Sequence, residues 1–114
     1  MAKTEVSTSE VLQGVHEGLP ISTEATTSRT VVSNDAFRVV AFAMDRGQEL
    51  TDHAWPRPGV VQVDDGELTF TVGGDVRELT TGDVVYLAPG ARHSVVARTP
   101  CRFVLVMSMT PNSA

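Results

Sequence analysis

From Arg29 onward, short runs of β-branched and aromatic residues alternate with clusters of Gly, Asp, Asn and Pro. Such runs, bounded by turn-forming residues, are typical of antiparallel strands. The pattern therefore predicts an all-β fold, an antiparallel barrel or sandwich, with no helix after the first strand. The expected strands are residues 30–33, 37–44, 60–64, 67–72, 76–79, 84–87, 93–97 and 102–109.

The apolar residues are arranged differently in different runs. In 67–72, Leu, Phe and Val alternate with Glu and Thr, which is typical of a strand with one buried and one exposed face. In 37–44 and 103–107, apolar residues occupy both faces. Strands of that kind must be covered on both sides, either by a second sheet and the N-terminal segment or by another subunit. We therefore expect a homodimer.

The N-terminal segment has a different composition from the rest of the chain. Residues 1–28 are rich in Ser, Thr and Glu, with one modest apolar patch at 11–15 and a break at 18–20. We expect an arm with a short helix capped by Ser9. The arm and a barrel over 29–110 would form one domain, which suits a chain of 114 residues.

Charge and cysteine content limit the partners and the compartment. The net charge is −5 and Lys3 is the only lysine, which argues against nucleic-acid binding, because phosphate recognition needs clustered cations. No apolar stretch is long enough for a signal peptide or a membrane span, so no membrane partner is expected. Cys101 is the only cysteine and leaves no intrachain disulfide. A soluble cytoplasmic protein is the expectation.

Two of the three histidines lie in the predicted strand region. His53 precedes the run that begins at residue 60, and His93 opens the run at 93–97. Strands that pair around a barrel can bring two such imidazoles together in its interior. Histidine is the commonest metal ligand and can transfer protons near neutral pH. We therefore place the candidate site around this pair.

The residues around His93 carry a resemblance to a known family. Gly82, Gly90 and His93 have the spacing of the second sequence motif of the cupin superfamily. Ala88 and Ala97 stand where Pro and Asn are usual in that motif. The chain thus resembles small single-domain, RmlC-like cupins.

The residues around His53 resemble the first cupin motif less completely. Gly47, His53 and Gly66 match its flanking glycines and its first histidine. Trp55 and Gly59 occupy the positions of the second histidine and the glutamate, so two of the four usual metal ligands are absent. The resemblance implies a jelly-roll (double-stranded β-helix) barrel with a ligand or metal site inside it.

The departures from the motif shape the expected site. Trp55 follows His53 by two residues, so in an extended strand both side chains share one face and the indole would wall a pocket. We expect the pocket to contain His53, Trp55, Tyr86 and His93. His53 and His93 would hold any metal, by the resemblance a divalent Fe, Mn, Ni or Zn, with an incomplete set of ligands.

Few other residues can add contacts to the histidine pair. Asp52 and Gln62 have the wrong strand parity to complete a metal site, and His16 would need the arm to fold over the barrel mouth. Arg57, between two prolines at the rim, could hold an anionic group through bidentate hydrogen bonds or could be a solvated turn residue.

Three functions remain open from the sequence. The first is a barrel whose interior pocket binds a small organic molecule without an obligatory metal. The second is a metal-dependent enzyme, a dioxygenase or an isomerase, with a reduced ligand set. The third is a structural or interaction barrel with a filled interior. Neither a catalytic residue nor a substrate follows from the sequence, because one fold supports many activities.

Overall fold

The computed structural model describes residues 4–109, apart from the side chain of Asp52, and within that range the chain forms nine β-strands and no helix. In the described part of the chain, accordingly, there is no helix that could cross a membrane. The strands are β1 Thr27–Ser33, β2 Phe37–Met44, β3 Glu49–Ala54, β4 Gly59–Asp65, β5 Glu67–Val72, β6 Asp75–Thr80, β7 Val84–Leu87, β8 Arg92–Ala97 and β9 Cys101–Ser108.

The strands form two antiparallel sheets. One has the order β1-β2-β9-β4-β7 and the other the order β3-β8-β5-β6. Strands distant in sequence are thus neighbours in space, the arrangement of a jelly roll, and the predicted all-β jelly-roll fold is confirmed. The two inner faces meet in one apolar core, which consists of Met44, Val61, Val63, Leu68, Phe70, Leu87, Val95, Ala97, Cys101 and Phe103.

Strand β2 is covered on both sides, as its apolar pattern requires. Met44 points into the core between the sheets. Ala41 and Ala43 face the other way and are fully buried against Leu19 of the N-terminal arm. The small alanine side chains let the arm lie close to the sheet. From the sequence, either the N-terminal arm or another subunit could cover the second face of this strand. The structure shows that the arm covers it.

The arm follows a different local path from the one expected. The expected helix at Ser9 is wrong, since residues 9–14 have no regular secondary structure. Gly14 and Gly18 have positive φ angles of 61° and 73°, outside the helical region. Val11 is 83% exposed, so at this position the arm buries no apolar side chain that would stabilise a helix. The first strand begins at Thr27, within the segment assigned to the arm.

Strand β3 was missing from the strands expected from the sequence. It pairs with β8, but its register shifts between Leu50 and His53, where β3 has one residue more than its partner. This bulge breaks the alternation of apolar and polar residues on which a strand prediction relies. For this reason the sequence pattern did not predict the strand that carries His53.

Candidate functional site

A cavity of about 330 Å³ lies between the two sheets. Its walls are formed by strands of both sheets and by the connection from β3 to β4, and most of the lining residues are apolar. The lining residues are Phe42, Leu50, His53, Trp55, Arg57, Gly59, Val61, Phe70, Leu87, His93, Val95, Phe103, Leu105 and Met107.

The two histidines meet at this cavity. His53 on β3 pairs directly with His93 on β8, and the centroids of their rings are 6.1 Å apart. The β3 bulge allows this, because it turns both Leu50 and His53 toward the cavity although they are three residues apart. His53 is exposed and His93 is half-buried, so the pair extends from the mouth into the interior.

His93 is held in place by two contacts. Its Nδ1 lies 3.3 Å from the carbonyl oxygen of Ala91, and its ring stacks on Phe70 with centroids 5.9 Å apart and planes at 4°. When Nδ1 carries the proton and donates to that carbonyl, Nε2 is left as an acceptor. A fixed imidazole of this kind offers a ligand one polar contact in apolar surroundings.

Trp55 contributes one backbone contact to the site and one buried polar atom. The backbone carbonyl of Trp55 accepts a hydrogen bond of 2.7 Å from the amide of Gly90, which ties the end of β3 to the Pro-Gly turn. Its indole Nε1 is buried, and within residues 4–109 it has no hydrogen-bond partner. An unsatisfied buried donor of this kind costs about 1–3 kcal/mol.

Gly59 stands at the position where the first cupin motif usually has a glutamate. It is buried at the start of β4, and a Cβ at this position would lie 3.1 Å from the carbonyl oxygen of Val106 on β9. The close approach of β9 means that a larger residue would displace backbone. Gly59 therefore supplies cavity space and no donor atom.

Tyr86 lies outside the cavity, contrary to the expectation that it would line it. Its side chain is 64% exposed on β7, whereas its neighbour Leu87 is buried and lines the cavity. Successive side chains of a strand point to opposite faces, so only one of the two can point inward. The structure thus brings together His53, Trp55 and His93 and leaves Tyr86 on the outer surface.

Several residues that line the cavity cannot be identified from the sequence. Phe42 and Phe103 stack with centroids 4.9 Å apart and planes at 12°, and Phe70 lies beneath His93. These residues have the appearance of ordinary core residues in sequence. Only the space left between the two sheets distinguishes them.

The donor atoms do not fit the metal centre that an intact pair of cupin motifs would imply. Among the residues described here, no three His, Cys, Asp or Glu side chains are grouped so that they could hold a metal ion. Gln62 is exposed, and Nε2 of His16 bonds Asp64 at 2.8 Å instead of reaching the cavity. The Asp52 side chain lies outside the described part of the structure.

Cys101 contributes no reactive group to the site. Its side chain is buried in the core and is absent from the cavity lining. Burial, assisted by the charge of Asp65, raises the pKa of the thiol to about 11. A protonated, inaccessible thiol is a poor nucleophile and a poor metal ligand.

Comparisons with known proteins agree with this architecture. The family model for the cupin domain matches residues 42–107. A conserved Streptococcus pyogenes protein of unknown function has a similar structure, with a TM-score of 0.79, 22% identity, and coverage of 99% of this chain and 98% of that one. An RmlC-like cupin from Shewanella frigidimarina has a TM-score of 0.71 and 26% identity, with coverage of 75% and 77%.

A further similar structure is that of KdgF from Halomonas, with a TM-score of 0.70, 23% identity, and coverage of 77% of this chain and 82% of that one. A search of curated proteins gave no match.

Proposed function

The chain belongs to the cupin family, and we propose that it binds a small organic molecule in its interior cavity, with His53 and His93 as polar contacts. The observation that carries this proposal is the apolar cavity of about 330 Å³ with two directly paired histidines at one side. Sites for small molecules are typically concave, mostly apolar and provided with few polar groups, over roughly 300–1,000 Å³. The cavity is at the lower end of that range.

The two histidines would have different roles in binding. His93 is oriented by Ala91 and Phe70, so it can fix the position of a ligand by a hydrogen bond at Nε2. His53 is exposed at the mouth and can exchange protons with solvent. Together they also suit proton transfer on a bound molecule, so an acid-base isomerisation without metal is compatible with the site.

Ligand-dependent stabilisation tests this proposal. A collection of small organic molecules is screened by thermal unfolding against the wild type and against Leu50→Trp, which fills the cavity. Leu79→Trp, at a half-buried position outside the cavity lining, is the control. A ligand at about one hundred times its Kd should stabilise the wild type and the control by about 2.7 kcal/mol. Loss of this effect in Leu50→Trp locates the ligand.

The screen also distinguishes the alternative of a filled structural barrel. That barrel would leave the melting temperature unchanged with every compound, since only binding to the native state shifts it. A complete lack of stabilisation across the collection would overturn the proposal of a ligand pocket.

A second candidate function is that of a metal-dependent enzyme, a dioxygenase or an isomerase. The direct pairing of His53 and His93 favours it, because two imidazoles on one side of a cavity could share an Fe, Mn, Ni or Zn ion. Such an ion would have only these two protein ligands, and water or substrate would have to supply the others.

Elemental analysis of untagged protein decides between the two candidates. About one metal ion per chain, lost in the His53→Ala/His93→Ala double variant, would support the metalloenzyme. Metal-free protein that takes up no ion on reconstitution would contradict it. In that case the metal-independent ligand pocket is the remaining function of the same site.

A further inference from the structure

We propose that the ligand of the cavity is an uncharged aromatic molecule about the size of two fused rings. The inference rests on the proposed ligand pocket and names the chemical class of its ligand. Three features of the cavity carry it: the kind of atoms at its surface, the aromatic rings on its two walls, and its volume.

The surface of the cavity is formed almost entirely by apolar atoms. Polar side chains do belong to the lining, at His53, Trp55, Arg57 and His93, but they leave little polar surface in contact with the cavity. The indole Nε1 of Trp55, for example, is itself buried. A charged group placed against such a surface loses its hydration and gains few hydrogen bonds. The surface therefore disfavours a carboxylate or a molecule with many hydroxyl groups.

Aromatic rings lie on both walls of the cavity. The five-stranded sheet contributes Phe42 and Phe103, whose stacked rings have centroids 4.9 Å apart. The four-stranded sheet contributes Phe70 and His93, whose stacked rings have centroids 5.9 Å apart and planes at 4°. All four residues belong to the cavity lining. An aromatic ligand between the two sheets could contact rings on either side, in the offset-stacked or edge-to-face geometry that such rings favour.

The volume of the cavity limits the size of the ligand. An apolar cavity of roughly 150 Å³ is enough to bind benzene. The cavity between the two sheets has about 330 Å³, a little more than twice that volume. It therefore has room for two fused rings with a small substituent, about ten to twelve non-hydrogen atoms.

Three probes of similar size test the charge and the aromatic character of the ligand. Naphthylmethanol is uncharged and aromatic, naphthoate replaces its alcohol group by a carboxylate, and decahydronaphthylmethanol is uncharged and saturated. Their affinities are measured by calorimetry at neutral pH. We expect naphthylmethanol to bind the wild type at least about tenfold more tightly than naphthoate, because the carboxylate must lose its hydration. It should also bind about threefold more tightly than the saturated alcohol.

A pair of phenylalanine variants tests the contact with the rings. Phe42→Leu removes one ring from the cavity wall, and Phe37→Leu is the control on the same strand, at a position that is 52% exposed and outside the cavity lining. Phe42→Leu should lower the preference for naphthylmethanol over the saturated alcohol, whereas Phe37→Leu should leave it unchanged. Because both affinities are measured on the same variant, a general loss of stability cancels in their ratio.

A pair of leucine variants tests the size. Leu50→Phe narrows the cavity, and Leu79→Phe is the control at a half-buried position outside the lining. Leu50→Phe should weaken naphthylmethanol at least about tenfold and retain benzyl alcohol, which has a single ring, because only the larger molecule would overlap the added atoms. Leu79→Phe should bind both alcohols as the wild type does.

The possible failures are distinguishable. If naphthoate or the saturated alcohol binds the wild type as tightly as naphthylmethanol, or if Phe42→Leu keeps the full aromatic preference, the inference is overturned and the ligand pocket stands. The same holds if the three probes fail to bind but another compound of the wider screen stabilises the wild type and not Leu50→Trp. If no compound at all stabilises the protein, the ligand pocket is overturned together with the inference.

Discussion

His53 and His93 stand directly opposite each other on β3 and β8, with ring centroids 6.1 Å apart, although forty residues separate them in the chain. The β3 bulge places the first ring at the mouth of the cavity, and the contacts with Phe70 and Ala91 hold the second ring inside it. The two rings therefore differ in exposure and in freedom, which leads to the first prediction.

His93→Ala should lower the free energy of unfolding by about 1–2 kcal/mol, because the variant loses the stacking on Phe70 and the bond to Ala91. His53→Ala, at an exposed position, should stay within about 0.5 kcal/mol of the wild type. Urea unfolding followed by circular dichroism measures both. Equal losses in the two variants would mean that the contacts of His93 do not stabilise the fold.

Gly66→Ala should be strongly destabilising, by about 3 kcal/mol or more. Gly66 has a φ of 91°, and a Cβ there would lie 2.8 Å from the Cβ of Cys101 and would also meet the carbonyl oxygen of Pro100. Gly74→Ala is the control, since its φ is 88° but no atom lies within 4 Å of an added Cβ. It should cost only the conformational term, about 1–2 kcal/mol.

The difference between the two glycine variants in urea unfolding gives the steric contribution alone. If the two variants lose the same free energy of unfolding, the close approach of the β4–β5 turn to Pro100 and Cys101 has no energetic weight.

Leu19→Ala should detach the N-terminal arm from the barrel. Leu19 is 8% exposed and packs on Ala41 and Ala43, so its truncation should cost about 2 kcal/mol. Val11→Ala, at a position 83% exposed, should have no measurable effect. Hydrogen exchange of the arm and of β2, together with urea unfolding, reports the change. An unaltered exchange pattern in Leu19→Ala would contradict the anchoring role.

Cys101 should not react with a thiol reagent in the folded protein at pH 8, because its side chain is buried and burial raises its pKa to about 11. In guanidinium chloride the thiol should react at once. An unfolded thiol has a pKa of about 8.5, so above that pH the unfolded state loses its proton first. The contribution of the group to stability is thus complete below pH 8.5 and is lost as the pH rises toward about 11.

The pH dependence of unfolding in wild type and Cys101→Val separates this contribution from other titrations. The wild type should lose stability relative to the variant between about pH 8.5 and pH 11. Rapid labelling of the native protein at pH 8 would show that the core opens far more often than its packing implies.

The homodimer expected from the apolar strand pattern remains a prediction, and the structure suggests a face for it. Val60 on β4 pairs with Val106 on β9 and with Tyr86 on β7, so these three side chains form one row on the outer face of the five-stranded sheet. Val84 lies on the same face of β7 and is 60% exposed. A second copy of the chain would bury this row.

Val84→Asp should weaken the dimer by roughly tenfold or more, because an unpaired carboxylate would be buried in the interface. Val76→Asp, at an equally exposed position on β6, should leave it intact. Sedimentation equilibrium of the three proteins measures the association. A wild type that is monomeric at all concentrations would contradict the prediction.

The all-β jelly-roll fold could be predicted from the sequence because its signals are local. Turn clusters such as those at 64–66 and 73–75 bound the strands, and the alternation in β5 fixes which side chains are buried. The spacing around Gly47, His53 and His93 added the resemblance to cupins. Each of these signals spans a few residues, so it survives without knowledge of the tertiary structure.

Only the tertiary structure determines the register of the strands and the cavity between the two sheets. The β3 bulge turns His53 toward the cavity, the alternation of β7 turns Tyr86 away from it, and the arm follows turns where a helix was expected. The burial of the Trp55 indole N–H, which has no hydrogen-bond partner within residues 4–109, could not be foreseen either. Pattern rules tell which side chains share a face, but pairing between distant strands determines what faces them, and a cavity exists only where two sheets fail to fill the space between them.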